Sequence, residues 1–219
     1  MALSKLKYNS LNVTAAANKG IGFDSDPDAL QADYTGGSMI FIKKITASSS
    51  ATVSFVDGTS DVVLDNTYKE YLFTFNNIHP QTNTVSFEFN GSIDSGSNYN
   101  VTKTSAGFST YHDEADSSAS LAYAAHLDEA QATGDQRLMH NVGNENDECG
   151  SGYLRLFNPS STTFVKHFIY RGVDVHGQPG IQDEYVAGYF NTTSAIDAII
   201  FRFDSGNIDA GDICLYGIN

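Results

Sequence analysis

From residue 38 onward, apolar and polar side chains alternate with a period of two. Val53 and Phe55 alternate with Thr52 and Ser54. Tyr71, Phe73 and Phe75 alternate with Leu72, Thr74 and Asn76, and Val85, Phe87 and Phe89 with Ser86, Glu88 and Asn90. In a β-strand such alternation sends one set of side chains into a core and the other to solvent. Leu154 and Leu156, then Ile199, Phe201 and Phe203, then Ile213 and Leu215 continue the pattern. Residues 39–45, 164–170 and 185–190 are more continuously apolar. Runs of that kind predict central strands covered on both faces, or strands lying at a subunit contact.

Turn-forming residues separate these runs. Ala47-Ser48-Ser49-Ser50 is expected to join two strands as a hairpin, and Asp57-Gly58 to start another connection. Residues 91–100 read as a polar loop, and Asp204-Ser205-Gly206-Asn207 opens the loop before a final strand. Many short strands with such breaks predict an all-β fold, an antiparallel β-sandwich of jelly-roll-like type with at most a short helix. The Ala-rich stretch 115–132 is the place for that helix, although Ser117-Ser118-Ala119-Ser120 weakens it. No fixed-period repeat points to a solenoid. Residues 1–36 are less patterned and are expected to form an irregular N-terminal arm, carrying Asp24, Asp26 and Asp28. Residues 37–219 are expected to form the sandwich domain.

Composition narrows the picture. At 219 residues with 41% hydrophobic and 12% aromatic positions, the chain has ample material for one core. A domain of this size buries about 70% of its unfolded surface and needs no metal or disulfide to hold together. Trp is absent, so Phe and Tyr supply the bulky packing. Asp plus Glu outnumber Lys plus Arg by 26 to 12, a net charge of −14. That field repels phosphates and anionic lipid heads, which argues against nucleic-acid and membrane partners. It also means that association between copies requires screening salt or a basic partner. The first residues lack the apolar run of a signal peptide, and no stretch is long enough to span a bilayer as a helix, so cytoplasmic synthesis is expected. The sequons at Asn12, Asn90, Asn100 and Asn191 are then chance matches.

Candidate chemistry is sparse. Cys149 and Cys214 have no CxxC spacing and read as reduced structural thiols. The six histidines form no HxH or HExxH pair and read as surface or half-buried. There is no GxSxG elbow, and neither phosphate-loop motif occurs. A glycosidase needs only two carboxylates at the correct separation, and among so many acids the sequence singles out no pair. No catalytic or cofactor-binding residue is assigned, and the chain is expected not to be an enzyme. Two dense acidic stretches carry ligands of the type that Ca²⁺ takes: Asp113, Glu114 and Asp116, and Glu145, Asp147 and Glu148. Neither matches an EF-hand, and solvated acidic loops are the commoner meaning of such stretches. Tyr71, Tyr99, Tyr111, Tyr123, Tyr153, Tyr170, Tyr185, Tyr189 and Tyr216 are candidates for stacking on sugar rings, set against core or interface packing as the more frequent role of a tyrosine.

Four strings are distinctive: residues 71–80 (YLFTFNNIHP), 152–167 (GYLRLFNPSSTTFVKH), 185–193 (YVAGYFNTT) and 205–218 (SGNIDAGDICLYGI). In the second, Leu154, Leu156, Phe164 and Phe168 are expected to be strand residues flanking a turn at Asn158-Pro159-Ser160-Ser161. Together the strings resemble a family of small virion structural proteins of tailed phages of marine bacteria, cyanophages included, over roughly residues 38–219. The resemblance implies a non-enzymatic particle component, tail- or fibre-associated or a head-decoration protein. It would reside in the virion, made in the bacterial cytoplasm, with itself as a homo-oligomer and other virion proteins as partners. The alternative is a carbohydrate-binding module of the same particle that recognises a host-surface glycan.

Overall fold

The computed structural model describes residues 20–23, 30–34 and 38–219. Two short strands, β1 (Gly20–Phe23) and β2 (Leu30–Tyr34), pair antiparallel with Phe23 opposite Leu30. Asp24, Asp26 and Asp28 lie outside the described residues.

The remaining strands build two antiparallel sheets. In chain order they are β3 (Met39–Ser50), β4 (Val53–Val56), β5 (Glu70–Pro80), β6 (Val85–Ser92), β7 (Lys103–Asp113), β8 (Ala119–Tyr123) and β9 (Glu129–Ala132). They continue with β10 (Gln136–Val142), β11 (Gly150–Phe157), β12 (Lys166–Val175), β13 (Gly180–Phe190), β14 (Ala198–Phe203) and β15 (Ile208–Ile218). The small sheet runs β10-β6-β14-β4. The large one runs β3-β15-β5-β11-β12-β13-β7-β8, with β9 also on β7. The predicted all-β sandwich is therefore the observed architecture, and no helix occurs among the described residues. The Ala-rich stretch 115–132 holds β8 and β9 instead of a helix. Pairing of β8 with β7, from Phe108 opposite Tyr123 to His112 opposite Ala119, prevails over alanine's helical preference.

The two sheets close on each other through the alternating residues. Tyr71, Phe73, Phe75, Leu154, Leu156, Phe168, Ile213 and Leu215 face inward from the large sheet. Phe55, Phe87, Phe89, Ile199 and Phe201 meet them from the small one. Phe201 is the hub of this aromatic cluster, with Phe75 and Phe73 edge-on at 5.1 and 5.3 Å and Phe87 stacked at 5.9 Å.

Three local expectations are corrected. Residues 47–50 do not form a hairpin. They finish β3, and the two residues that follow carry the chain across to β4 in the opposite sheet. Phe164 is not a strand residue but an exposed member of the connection between β11 and β12. That connection does turn at Asn158, whose carbonyl accepts the Ser161 N–H at 3.0 Å. The polar residues of β6 are not solvated: Ser86, Glu88 and Asn90 are all buried. Asn90 donates to the carbonyls of Thr133 and Gly134, both at 3.1 Å, and Glu88 meets Arg137 at 3.3 Å. The 133–135 turn and its neighbours thus cover the outer side of β6, and the strand's polar groups are satisfied by protein instead of water.

The apolar runs at 39–45, 164–170 and 185–190 are not covered on both faces. β12 alternates buried and exposed residues along nearly its whole length, and β13 follows suit over most of its own. What makes these runs continuous is apolar residues on the outer face as well, including Phe41 and Ile169.

Candidate functional site

The acidic stretches are organised by their own loops. The Asp113 carboxylate accepts the backbone N–H groups of Ser117 and Ser118 at 2.8 and 3.1 Å and the Ser117 hydroxyl at 2.5 Å. These bonds hold its pKa below the usual carboxylate value. Asp116 lies 3.3 Å from His112, and Glu114 is exposed. In the other stretch Glu148 turns inward and accepts the Glu145 N–H at 2.7 Å, while Glu145 and Asp147 remain exposed. Among the described residues no three His, Cys, Asp or Glu side chains gather as a metal-binding set. Cys149 and Cys214 are free thiols.

The outer face of the large sheet carries the most pronounced surface feature. Register places Tyr153 of β11 opposite Arg171 of β12, Arg171 opposite Tyr185 of β13, Tyr185 opposite Phe108 of β7, and Phe108 opposite Tyr123 of β8. These five residues form one row perpendicular to the strands. Crossing four strand spacings, it runs about 19 Å. Phe108 stacks on Tyr185 with centroids 4.5 Å apart and planes 9° from parallel. The Arg171 guanidinium covers the other face of Tyr185 at 4.8 Å. Arg171 is fixed there by Asp183 at 3.1 Å. Beside the row, Ala106 and Ala187 leave a groove of about 680 Å³ bordered by Phe108, Tyr123, Ile169 and Tyr185. Leu121 and Tyr123 are 72% and 64% exposed at this edge, and Ile169 is 46% exposed.

This arrangement sorts the tyrosines. Tyr71 and Tyr170 are core residues. Tyr185 has both ring faces occupied, by Phe108 and Arg171, and presents an edge outward. Tyr123 and Tyr153 are the exposed ones, and the Tyr123 hydroxyl donates to Asp128 at 2.6 Å. Tyr123, Tyr153 and Tyr185 are among the candidates that the sequence offers, whereas Phe108 and Arg171 are not, and the row itself is not legible there. It is produced by strand neighbours distant in the chain, and no period within one strand reveals it.

A second constellation lies inside the sandwich, where β10 packs on β12 and β13. Asp174 and Glu184 are 1% and 0% exposed. Glu184 accepts the His140 N–H at 3.0 Å and the Gln182 amide at 2.9 Å. Both Asp174 oxygens and the Tyr170 hydroxyl are buried without a hydrogen-bond partner among the described residues. His126 stacks on His140 at 4.2 Å and brings Nε2 to 3.5 Å from Glu184. Burial, followed by repulsion from Glu184, raises the Asp174 pKa well above the ordinary value, and burial does the same to Glu184. Burial pushes His140 down to about 4, helped by its neighbours His126 and Arg137. Burial, then Arg137, also lowers the His126 pKa.

The chain matches no protein-family model, no curated protein and no solved structure.

Proposed function

We propose that this chain is a non-enzymatic structural component of a tailed-phage virion, working by self-association and by docking on other virion proteins. The observation that carries the docking role is the outer face of the large sheet, where Phe108, Leu121, Tyr123, Tyr153, Ile169 and Arg171 stand exposed around the half-buried Tyr185. Exposed apolar area of this kind marks contact surfaces, and aromatic and arginine side chains are the types enriched in them. The virion context rests on the four strings that resemble phage structural proteins. Quantitative mass spectrometry of purified particles tests it: a fixed stoichiometric copy number is expected, and trace amounts would end the proposal. Sedimentation of the purified chain tests the surface. Ile169→Asp with Leu121→Asp is expected to shift an oligomer toward monomer, and unchanged sedimentation would remove this face from the contact.

A carbohydrate-binding role is the second reading, and it is favoured by the exposed ring of Tyr123, with Tyr153 exposed at the far end of the row under the Arg155 guanidinium at 6.0 Å. The self-stacked centre of the row weighs against it, since a sugar needs a free ring face. A glycan array probed with the wild type and with Tyr123→Ala decides this, because only a response lost in the variant supports it.

A further inference from the structure

The sandwich holds two carboxyl groups for which the docking role has no use. Asp174 and Glu184 project from neighbouring strands onto the same inner face, with Asp174 opposite Gln182 and Gly172 opposite Glu184. Tyr170 shares that face, and its hydroxyl occupies the space above Gly172. From β10 the pair is faced by His140, and from the 124–128 connection by His126, with Asp128 beyond it. His176, Glu148 and Asp204 complete the titratable surroundings. The permanent cation acting on the histidines is Arg137, which is engaged by Glu88 at 3.3 Å. Arg171 lies on the opposite face and pairs with Asp183. No lysine or arginine makes an ion pair with either buried acid among the described residues.

An ionised carboxylate without a counter-charge is too costly to keep in a core, so the group is neutralised instead. Two carboxylates side by side make the cost larger, and neutral histidines do not offset it. We propose that Asp174 and Glu184 enter the fold as protonated acids beside the neutral His126–His140 pair, and that ionising either acid or charging either histidine loosens the seam between β10 and the β12–β13 pair. The core of this sandwich is then a proton-holding lock, closed over a bounded pH range.

The signs follow from the directions of the shifts. In an unfolded chain the two acids lose their protons near pH 4. Held higher in the fold, they contribute stability that is fully present below about pH 4 and is lost as pH rises toward their folded values. The histidines act in the opposite sense: their contribution is present above about pH 6.5 and is lost as pH falls. The two slopes oppose each other between these values, and above about pH 6.5 the acids act alone.

The test compares the full chain with Asp174→Asn, Glu184→Gln and the double variant. Amides keep the shape and remove the titration. The melting temperature of the double variant is expected to gain on wild type as pH rises from about 4. In a Glu88→Gln background, which removes the other acid raised to about 7, the infrared band of a protonated carboxylic acid is expected at pH 7 with Asp174 and Glu184 present and not with both replaced by amides. Parallel melting curves at every pH, or a Glu88→Gln chain without the protonated band, would overturn the proposal. A wild-type melting temperature raised by Ca²⁺ or Zn²⁺ and lowered by chelator would also overturn it, by showing an ionised pair held by metal. If the double variant does not fold, each single variant is read in the same way, and the band of the Glu88→Gln chain at pH 7 decides alone.

Discussion

The Tyr170 hydroxyl rests directly over Gly172, in the space that any side chain at residue 172 would enter. The two residues sit two apart on β12, so their side chains share the inner face. Glycine at 172 is what allows a tyrosine ring to lie along the strand in a closed core. The hydroxyl gains no hydrogen bond for this position among the described residues.

Gly172→Ala is therefore expected to destabilise by about 1–3 kcal/mol, the usual result of overpacking a filled core. Tyr170→Phe removes an unsatisfied buried hydroxyl and is expected to be neutral or stabilising. Combined, the two changes are expected to cost less than their sum, because the phenylalanine vacates the space that the alanine needs. Urea denaturation of the four proteins checks this, and strict additivity would show that the clash is relieved elsewhere.

Phe201 meets Phe73, Phe75 and Phe87 at once, and these rings come from both sheets. Phe201→Ala is expected to cost about 3–5 kcal/mol, the range for removing a buried aromatic ring. The same measurement on Phe164→Ala, which truncates an exposed connection residue, is expected to stay within about 0.5 kcal/mol.

The Phe108–Tyr185 stack should register as a coupling and not only as lost area. A double-mutant cycle with Phe108→Ala and Tyr185→Ala is expected to return about 0.5–1.5 kcal/mol of interaction energy. A value of zero would mean that the rings stack in the fold without stabilising it.

Glu88 provides a second pH signature, away from the Asp174–Glu184 pair. Burial, then Asp135 and Asp204, push its pKa up to about 7 despite the Arg137 guanidinium at 3.3 Å. A raised acid stabilises fully below its unfolded value and loses that contribution as pH climbs through about 7. Glu88→Gln is expected to match wild type near pH 4 and to gain on it by pH 8, as read from thermal melts. A variant that loses ground to wild type at pH 8 would show that the Arg137 ion pair outweighs the burial.

Much of the fold was legible along the chain. Period-two alternation located the Phe73, Phe87 and Phe201 strands and their inward faces, because a strand's pleat converts sequence parity directly into side. The same parity misassigned Ser86, Glu88 and Asn90, because parity tells which face a residue takes and not what covers that face. The 47–50 stretch misled for a related reason. Small polar residues suit a turn and the end of a long strand equally, and only the sheet each strand joins tells them apart.

The candidate surfaces were less legible. Phe108, Tyr123, Tyr153, Arg171 and Tyr185 are spread over 78 residues and five different strands, and nothing in their spacing predicts one row. Asp174 and Glu184 looked like two of 26 acids until β10 closed over them. The sequence by itself determined the strands, their inward faces and the absence of familiar catalytic spacings, since these depend on residues near one another in the chain. The tertiary structure alone decided strand order, the stacked row and the buried acids, because each depends on which distant strands become neighbours and on how much water that contact excludes.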